Sequence, residues 1–126
     1  IKPRQQPKSI LFCHIEDFLV IKINWSVEEA VALFYFYFNG LTSKNDLKKL
    51  SAAYKKRAVM LGIQTDDKFR NINGLSMQLG CITYIVTDGK HDFSSASKLF
   101  YETYHLYKTS PEVFSRIFKE FNDKYM

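Results

Sequence analysis

The sequence predicts a mainly α protein: a compact five-helix domain with a helix-turn-helix-like core and a short N-terminal β-like segment. Two observations lead to this fold class. Apolar residues recur at helical spacing over five separate stretches, and capping residues or glycines mark the ends of most of them. With 126 residues, 46% of them hydrophobic and 16% aromatic, the chain fits one domain with a real core, and disorder is excluded for most of its length.

The first 24 residues differ from the rest. A polar, basic opening is followed by SILFCHIEDFLVIKIN, which is rich in β-branched and aromatic residues and predicts one strand, or two strands around Glu16 and Asp17. We therefore interpret residues 1–24 as a lead or linker with β-strand character. Residues 25–126 carry the helical signals and form the predicted helical domain.

Two capping boxes predict where the first two helices begin. Ser26 with Glu29 opens the first helix, and Ser43 with Asp46 opens the second. A glycine ends each of the two runs, at positions 40 and 62. The second helix has a predicted core stripe made of Leu47, Leu50, Tyr54, Ala58 and Leu61.

The remaining three helices are predicted from apolar spacing and helix-start signals. The third carries one apolar stripe, Ile72, Leu75, Leu79, Ile82 and Val86, with Met77, Cys81 and Tyr84 on its far side. We therefore expect it to be sandwiched between neighbours. The fourth is predicted to start near Ser94 or Ser95, and the fifth to open with Ser110 as cap and Pro111 at the first helical position.

The positive charge is concentrated in the second helix. The chain has a net charge of +5, and residues 44–57 alone reach that value, with six basic side chains and one acidic one. We predict that this face holds the phosphates of an anionic partner. The residues are Lys44, Lys48, Lys49, Lys55, Lys56 and Arg57. A solvated lysine-rich helix without a partner is the alternative interpretation.

Polar groups also gather at the start of the third helix. The helix needs one asparagine, Asn71 or Asn73, as its N-cap, so the further amide and guanidinium groups exceed what a cap requires. Such groups bind phosphates at a helix N-terminus or base edges in a DNA groove. The candidate residues here are Lys68, Arg70, Asn71, Asn73, Ser76 and Gln78.

Four stretches together resemble a known bacterial domain: INWSVEEAVALFYFYF, KNDLKKLSAAYKKRAVMLGI, KFRNINGLSMQLGCITYIV and ASKLFYETYHLY. The chain is similar to the DNA-recognition domain found N-terminal to HNH nucleases in restriction and defence proteins. The matching positions are Phe69, Arg70, Asn71, Asn73, Gly74, Met77, Leu79, Ser97 and Lys98. The similarity covers roughly residues 25–121. It implies a module that recognises double-stranded DNA in a restriction system, with a nuclease domain or subunit as a further partner. The HNH nuclease residues themselves are absent, and the link from residue 62 to residue 71 is long for a standard helix-turn-helix.

The sequence predicts no catalytic residue, no metal site and no cofactor. It contains no glycine-rich phosphate loop and no nucleophile elbow, and its three histidines are far apart and lack ligand spacing. Two alternatives of other classes stay open. One is a small metal-dependent nuclease that uses Glu16, Asp17 and Lys22, and the other is a helical protein-interaction adaptor that presents tyrosine and phenylalanine.

Compartment signals are consistent with a cytoplasmic protein. No apolar run is long enough to cross a membrane, the opening residues do not form a signal peptide, and Cys13 and Cys81 lie in apolar stretches as expected of reduced thiols. We therefore expect no membrane partner. The sequence leaves the oligomeric state open.

Overall fold

The computed structural model describes residues 23–91 and 96–126. These residues form five α-helices: α1 (Val27–Phe38), α2 (Lys44–Met60), α3 (Ile72–Val86), α4 (Lys98–Thr109) and α5 (Pro111–Tyr125). No strand occurs among them, which confirms the mainly α, five-helix prediction. The predicted β-like segment lies outside the described residues, except for Ile23 and Asn24, which are not in a strand.

Helix α1 is the centre of the domain, because it contacts each of the other four helices. Its side chains from Ala30 to Phe34 are completely buried. The ring of Trp25, just before α1, packs edge-on against Tyr54 of α2 and Phe100 of α4, with centroids 5.4 and 5.5 Å away. Burying a large apolar side chain contributes about 1.5–3 kcal/mol, so this central helix accounts for much of the fold's stability.

The predicted helix starts are confirmed at three helices. Both capping boxes form: the Ser26 hydroxyl accepts a hydrogen bond from the Glu29 amide, and the Ser43 hydroxyl from the Asp46 amide. Pro111 occupies the first turn of α5, where its missing N–H costs nothing. These local signals place α1, α2 and α5 correctly.

The start of α4 was predicted too early. The helix begins at Lys98, and Ser97 is its N-cap, with its hydroxyl 3.2 Å from the Phe100 amide that donates to it. Several serines in this stretch have a side chain that can cap a helix. Ser97 is the one that packing of α4 places next to the free amide of Phe100.

Two predicted core positions are exposed instead. Leu61 follows the last turn of α2 and is 52% exposed, because Gly62 adopts φ +70° and turns the chain so that Ile63 packs on the core in its place. The Ile63 amide donates to the carbonyl of Ala58, which closes this helix end. Met77 on the far side of α3 is 61% exposed, so the prediction that α3 is sandwiched between neighbours is wrong on this side.

Helices α2 and α3 pack against each other and are joined by residues 61–71. The link is fixed to the domain by buried Phe69 and by a hydrogen bond that the Ser51 hydroxyl of α2 donates to the Arg70 carbonyl over 2.7 Å. The N-terminus of α3 therefore lies beside the exposed side of α2.

Candidate nucleic-acid interface

Five lysines form the exposed face of α2, and we call them the lysine face. Their side chains are all exposed, while the opposite side of the helix is buried against the core. The single acidic residue among them, Asp46, is engaged in the N-cap of the helix. The lysine face therefore presents a concentrated positive charge to solvent. It consists of Lys44, Lys48, Lys49, Lys55 and Lys56.

Arg57 does not belong to this face. Its side chain is only 13% exposed and points toward α1, where the Nε atom donates to the Glu28 carboxylate and Nη1 lies 3.7 Å from Glu29 Oε1. The predicted phosphate contact from Arg57 is therefore contradicted by its placement. The guanidinium is taken up by two carboxylates of the first turn of α1.

Arg70 also points inward, contrary to the prediction that it reads a DNA groove. Its side chain is 8% exposed, and it forms a bidentate ion pair with Glu29. Nε donates to Oε2 over 2.8 Å, and Nη2 donates to Oε1 over 3.2 Å. The guanidinium carbon also lies 4.4 Å from the ring centre of Trp25 and 4.5 Å from that of Phe69. Such a planar, paired and stacked arrangement is one that arginine forms and lysine does not.

The backbone at Arg70 is held in the left-handed region, with φ 46°. For a residue with a β-carbon this conformation is strained. The strain is offset by the ion pair, by the hydrogen bond from Ser51, and by two further bonds that the guanidinium donates to the carbonyls of Ile23 and Asn24. Arg70 thus fixes both the chain before α1 and the loop that enters α3.

The buried carboxylate of Glu29 is the feature that the sequence reasoning missed. The side chain is 1% exposed, within a run of completely buried apolar residues, and Arg70 compensates its charge. The Tyr54 hydroxyl donates to the Glu29 carbonyl over 2.6 Å. Burial raises the pKa of Tyr54 well above its ordinary value, the negative charge of Glu29 adds to that effect, and Arg70 opposes it.

Asn71 is the N-cap of α3. Its Oδ1 accepts a hydrogen bond from the Gly74 amide over 2.8 Å, which decides between the two asparagines considered as the cap. A β-carbon on Gly74 would lie 3.0 Å from this oxygen, so the glycine leaves room for the cap. The space beside Gly74 is therefore occupied by the chain's own Asn71 side chain.

The other four polar candidates lie in the loop before α3 and on α3 itself. Lys68, Asn73 and Ser76 are exposed, and Gln78 is half-buried. Asn73 and Ser76 lie three residues apart and therefore project from neighbouring positions of one helix face. Of the six candidate residues at this helix start, these four remain on the surface with their polar groups directed outward or to the rim of a groove.

The lysine face and the start of α3 meet at one of two shallow grooves, and the two grooves share Asn71. One groove, of about 280 Å³, lies between α2 and α3; the other lies over the Trp25 and Arg70 stack. The first is lined by Lys48, Ser51, Ala52, Lys55, Asn71 and Ile72. The second is lined by Trp25, Lys68, Arg70, Asn71, Gly74, Leu75 and Gln78. Lys44, Lys49 and Lys56 line neither groove, so the structure brings only part of the predicted site together.

Comparison of the chain with protein-family models, with curated proteins and with solved structures gives no significant match. Among the described residues no group of three or more histidine, cysteine or acidic side chains is placed to hold a metal ion. In the same part of the chain no helix is long and apolar enough to span a membrane. Glu16, Asp17 and Lys22, on which the nuclease alternative depends, lie outside the described residues.

Proposed function

We propose that this chain is a recognition module for double-stranded DNA, with the lysine face on the phosphates and the exposed side of α3 toward the bases. One observation carries the proposal. Two lysines of α2, Lys48 and Lys55, line the same groove as Asn71 and Ile72 at the start of α3. The lysines thus lie next to the start of α3, and Asn73 and Ser76 are exposed in the turns of α3 that follow.

The phosphate contacts are assigned to the lysines alone. A lysine ammonium is a strongly hydrated point charge on a flexible stem, which suits exposed contacts to a polyanion. Arg57 and Arg70 are excluded from these contacts because their guanidinium groups are bound to Glu28 and Glu29. Five exposed lysines give a salt dependence of log affinity with a slope of about −4 to −5 if each neutralises one phosphate.

The base contacts are assigned to Asn73, Ser76 and Gln78. Asparagine and glutamine form paired hydrogen bonds with adenine in the major groove, and serine bonds to either base of a pair. Asn73 and Ser76 are exposed on one face, and Gln78 lies on the rim of the groove above Arg70. Asn71 is assigned to the cap instead, because its side-chain oxygen already accepts the Gly74 amide.

The biological setting we propose is a bacterial restriction or defence system, in which this module serves a nuclease domain or subunit. This part rests on the resemblance around FRNINGLSMQL and on the serine–lysine pair at residues 97 and 98. The start of α4 at Lys98, with Ser97 as N-cap, agrees with the helix start that the resemblance implies.

The adaptor alternative is less well supported by the described residues. It requires exposed aromatic side chains, yet most of the aromatic rings pack on one another in the core, as in the Tyr35 and Phe118 stack at 3.6 Å. Among the described aromatic residues only Tyr101 is strongly exposed. Binding that is independent of salt would favour an adaptor over a DNA-binding module.

The test is binding of a labelled mixed-sequence duplex at several salt concentrations. We expect the double variant Lys48→Ala and Lys55→Ala to weaken binding to all sequences and to reduce the magnitude of the salt slope by about 2. The matched control is Lys90→Ala with Lys108→Ala, which removes the same charge from exposed positions outside α2 and α3. Equal losses in both double variants would mean that net charge alone drives binding, and the proposed site would be wrong.

A further inference from the structure

The exposed side of α2 changes character at its C-terminal end. Val59 is 79% exposed, Met60 60% and Leu61 52%. Within the described residues, large apolar side chains this exposed follow one another in sequence only here. We call these three residues the apolar turn. Single exposed apolar residues are common on proteins, but three in succession at the end of a charged helix form a contiguous surface.

The apolar turn continues the lysine face and is not a separate surface. Val59 lies four residues after Lys55, and Met60 four residues after Lys56, so each falls on the same helix face about 6 Å further along the axis. Val59 also follows Lys48, Ala52 and Lys55 at alternating spacings of four and three residues. A ligand that lies along the lysines therefore reaches the apolar turn next.

The lysine face followed by the apolar turn limits the kind of ligand that fits this surface. A polyanion that also offers apolar surface behind its charged outer edge satisfies both parts. Duplex DNA has this property, since phosphates border its grooves and the apolar faces of its bases become accessible where a base step opens. The exposed amide of Asn73 lies in the first turn of α3, whose start lines a groove with Lys48 and Lys55, and it favours DNA over a lipid surface, since a bilayer offers no base edges for it to bind.

We propose that the apolar turn inserts Val59 and Met60 against a base step of bound DNA, unstacks that step and bends the duplex. This inference rests on the proposed DNA-binding function. Apolar side chains inserted between base steps kink DNA, and the energetic cost of unstacking is offset by additional protein contact along the bent duplex. The flexible thioether chain of Met60 suits an irregular contact of this kind.

The experiment uses the full 126-residue chain and duplexes that carry 2-aminopurine beside pyrimidine–purine steps, which unstack most easily. The 2-aminopurine fluorescence rises when its base loses stacking, and a donor–acceptor dye pair at the duplex ends reports bending. We expect the parent protein to raise the fluorescence at one step by about twofold or more and to bring the dyes closer. The double variant Val59→Ser with Met60→Ser should lose both signals while it keeps the salt slope of the parent.

A matched control is Tyr101→Ser, which changes an exposed large side chain on α4, a helix that does not contact α2, and should leave the fluorescence and the bend unchanged. Circular dichroism confirms that each variant is folded. If the parent binds DNA with the expected salt slope but changes neither signal, the inference is wrong and the proposed function stands. If the parent shows no salt-dependent DNA binding, both are wrong.

Two other occupants of the apolar turn are tested in parallel. Binding of the parent to phosphatidylserine vesicles that is lost in the double serine variant would assign the turn to a membrane surface. A parent dimer in analytical ultracentrifugation that the same variant converts to a monomer would assign it to a second copy of the chain. Either result overturns the DNA-bending inference.

Discussion

Replacing Arg70 by alanine removes the compensating charge of a buried carboxylate, and we expect a large loss of stability. The guanidinium makes two hydrogen bonds to Glu29, at 2.8 and 3.2 Å, and the two side chains are 8% and 1% exposed. Breaking a buried ion pair by removing one partner costs about 3–5 kcal/mol. Glu29 would keep only the longer contact with Arg57, at 3.7 Å, and the donors of Ser26. The contacts with the rings of Trp25 and Phe69 are lost as well.

This loss is large relative to the total stability of a single domain, which is about 5–15 kcal/mol. At about 4 °C per kcal/mol for a domain of this size, the melting temperature should fall by about 12–20 °C. The measurement is thermal and urea unfolding followed by circular dichroism. Arg116→Ala is the matched control: Arg116 is exposed on α5, and its loss should change stability by less than about 0.5 kcal/mol.

The same variant distinguishes the two roles considered for Arg70. If Arg70 is an internal ion-pair partner, its replacement should leave the preferred DNA sequence unchanged at a temperature where the variant is still folded. A variant that melts within about 3 °C of the parent and selects different sequences would contradict the observed burial of the side chain. In that case Arg70 would contact the bases, as the sequence alone suggested.

Four further predictions concern neighbouring residues. Asn71→Ala should lower stability by about 0.5–2 kcal/mol without changing sequence selection, because it removes a cap. Asn73→Ala should leave the melting temperature unchanged and reduce discrimination between preferred and random duplexes by about 1–3 kcal/mol; the reverse pattern in competitive binding and melting would contradict both assignments. For Tyr54, the folded-state pKa is raised above its ordinary value of 10.0, so stability is fully present below about pH 10 and is lost as pH rises further. As pH rises from about 9 to about 11, the stability of Tyr54→Phe should fall less than that of the parent. Urea-unfolding stabilities that fall in parallel with pH for the two proteins would refute this. Arg57→Gln should destabilise the fold but leave the salt slope of DNA binding unchanged, and a slope reduced in magnitude by about 0.9 would place Arg57 on a phosphate.

Local sequence signals were sufficient for most of the helix starts but not for the direction of the arginines. Ser26 with Glu29 and Ser43 with Asp46 are each complete within four residues, so the first two helix starts could be predicted without knowledge of the tertiary structure. The pairing of Arg70 with Glu29 joins residues 41 positions apart. Only the packing of the α3 entry loop against α1 determines it.

One signal of the inward arginines was nonetheless present in the sequence. Glu29 stands at the start of a run that continues with Ala30 and remains apolar to Phe38, a run whose helical periodicity predicts burial. A buried carboxylate requires a cation or several hydrogen-bond donors. On this ground alone, an arginine elsewhere in the chain could have been predicted as the partner of Glu29. The sequence does not indicate whether that arginine is Arg57 or Arg70.

The inward arginines and the outward lysines divide the positive charge of the molecule between two tasks. Arg57 and Arg70 use planar guanidinium groups to bind the carboxylates of Glu28 and Glu29, and so they hold α1, α2 and the α3 entry loop together. The lysines keep hydrated ammonium groups in solvent, where an incoming polyanion can displace small counterions. The charge available for the proposed DNA binding is therefore smaller than the +5 counted over residues 44–57, because Arg57 is neutralised within the fold. The same ion pairs set the position of the α3 start relative to the lysine face. The two arginines, which are not available to a ligand, therefore fix the geometry in which the exposed lysines are presented.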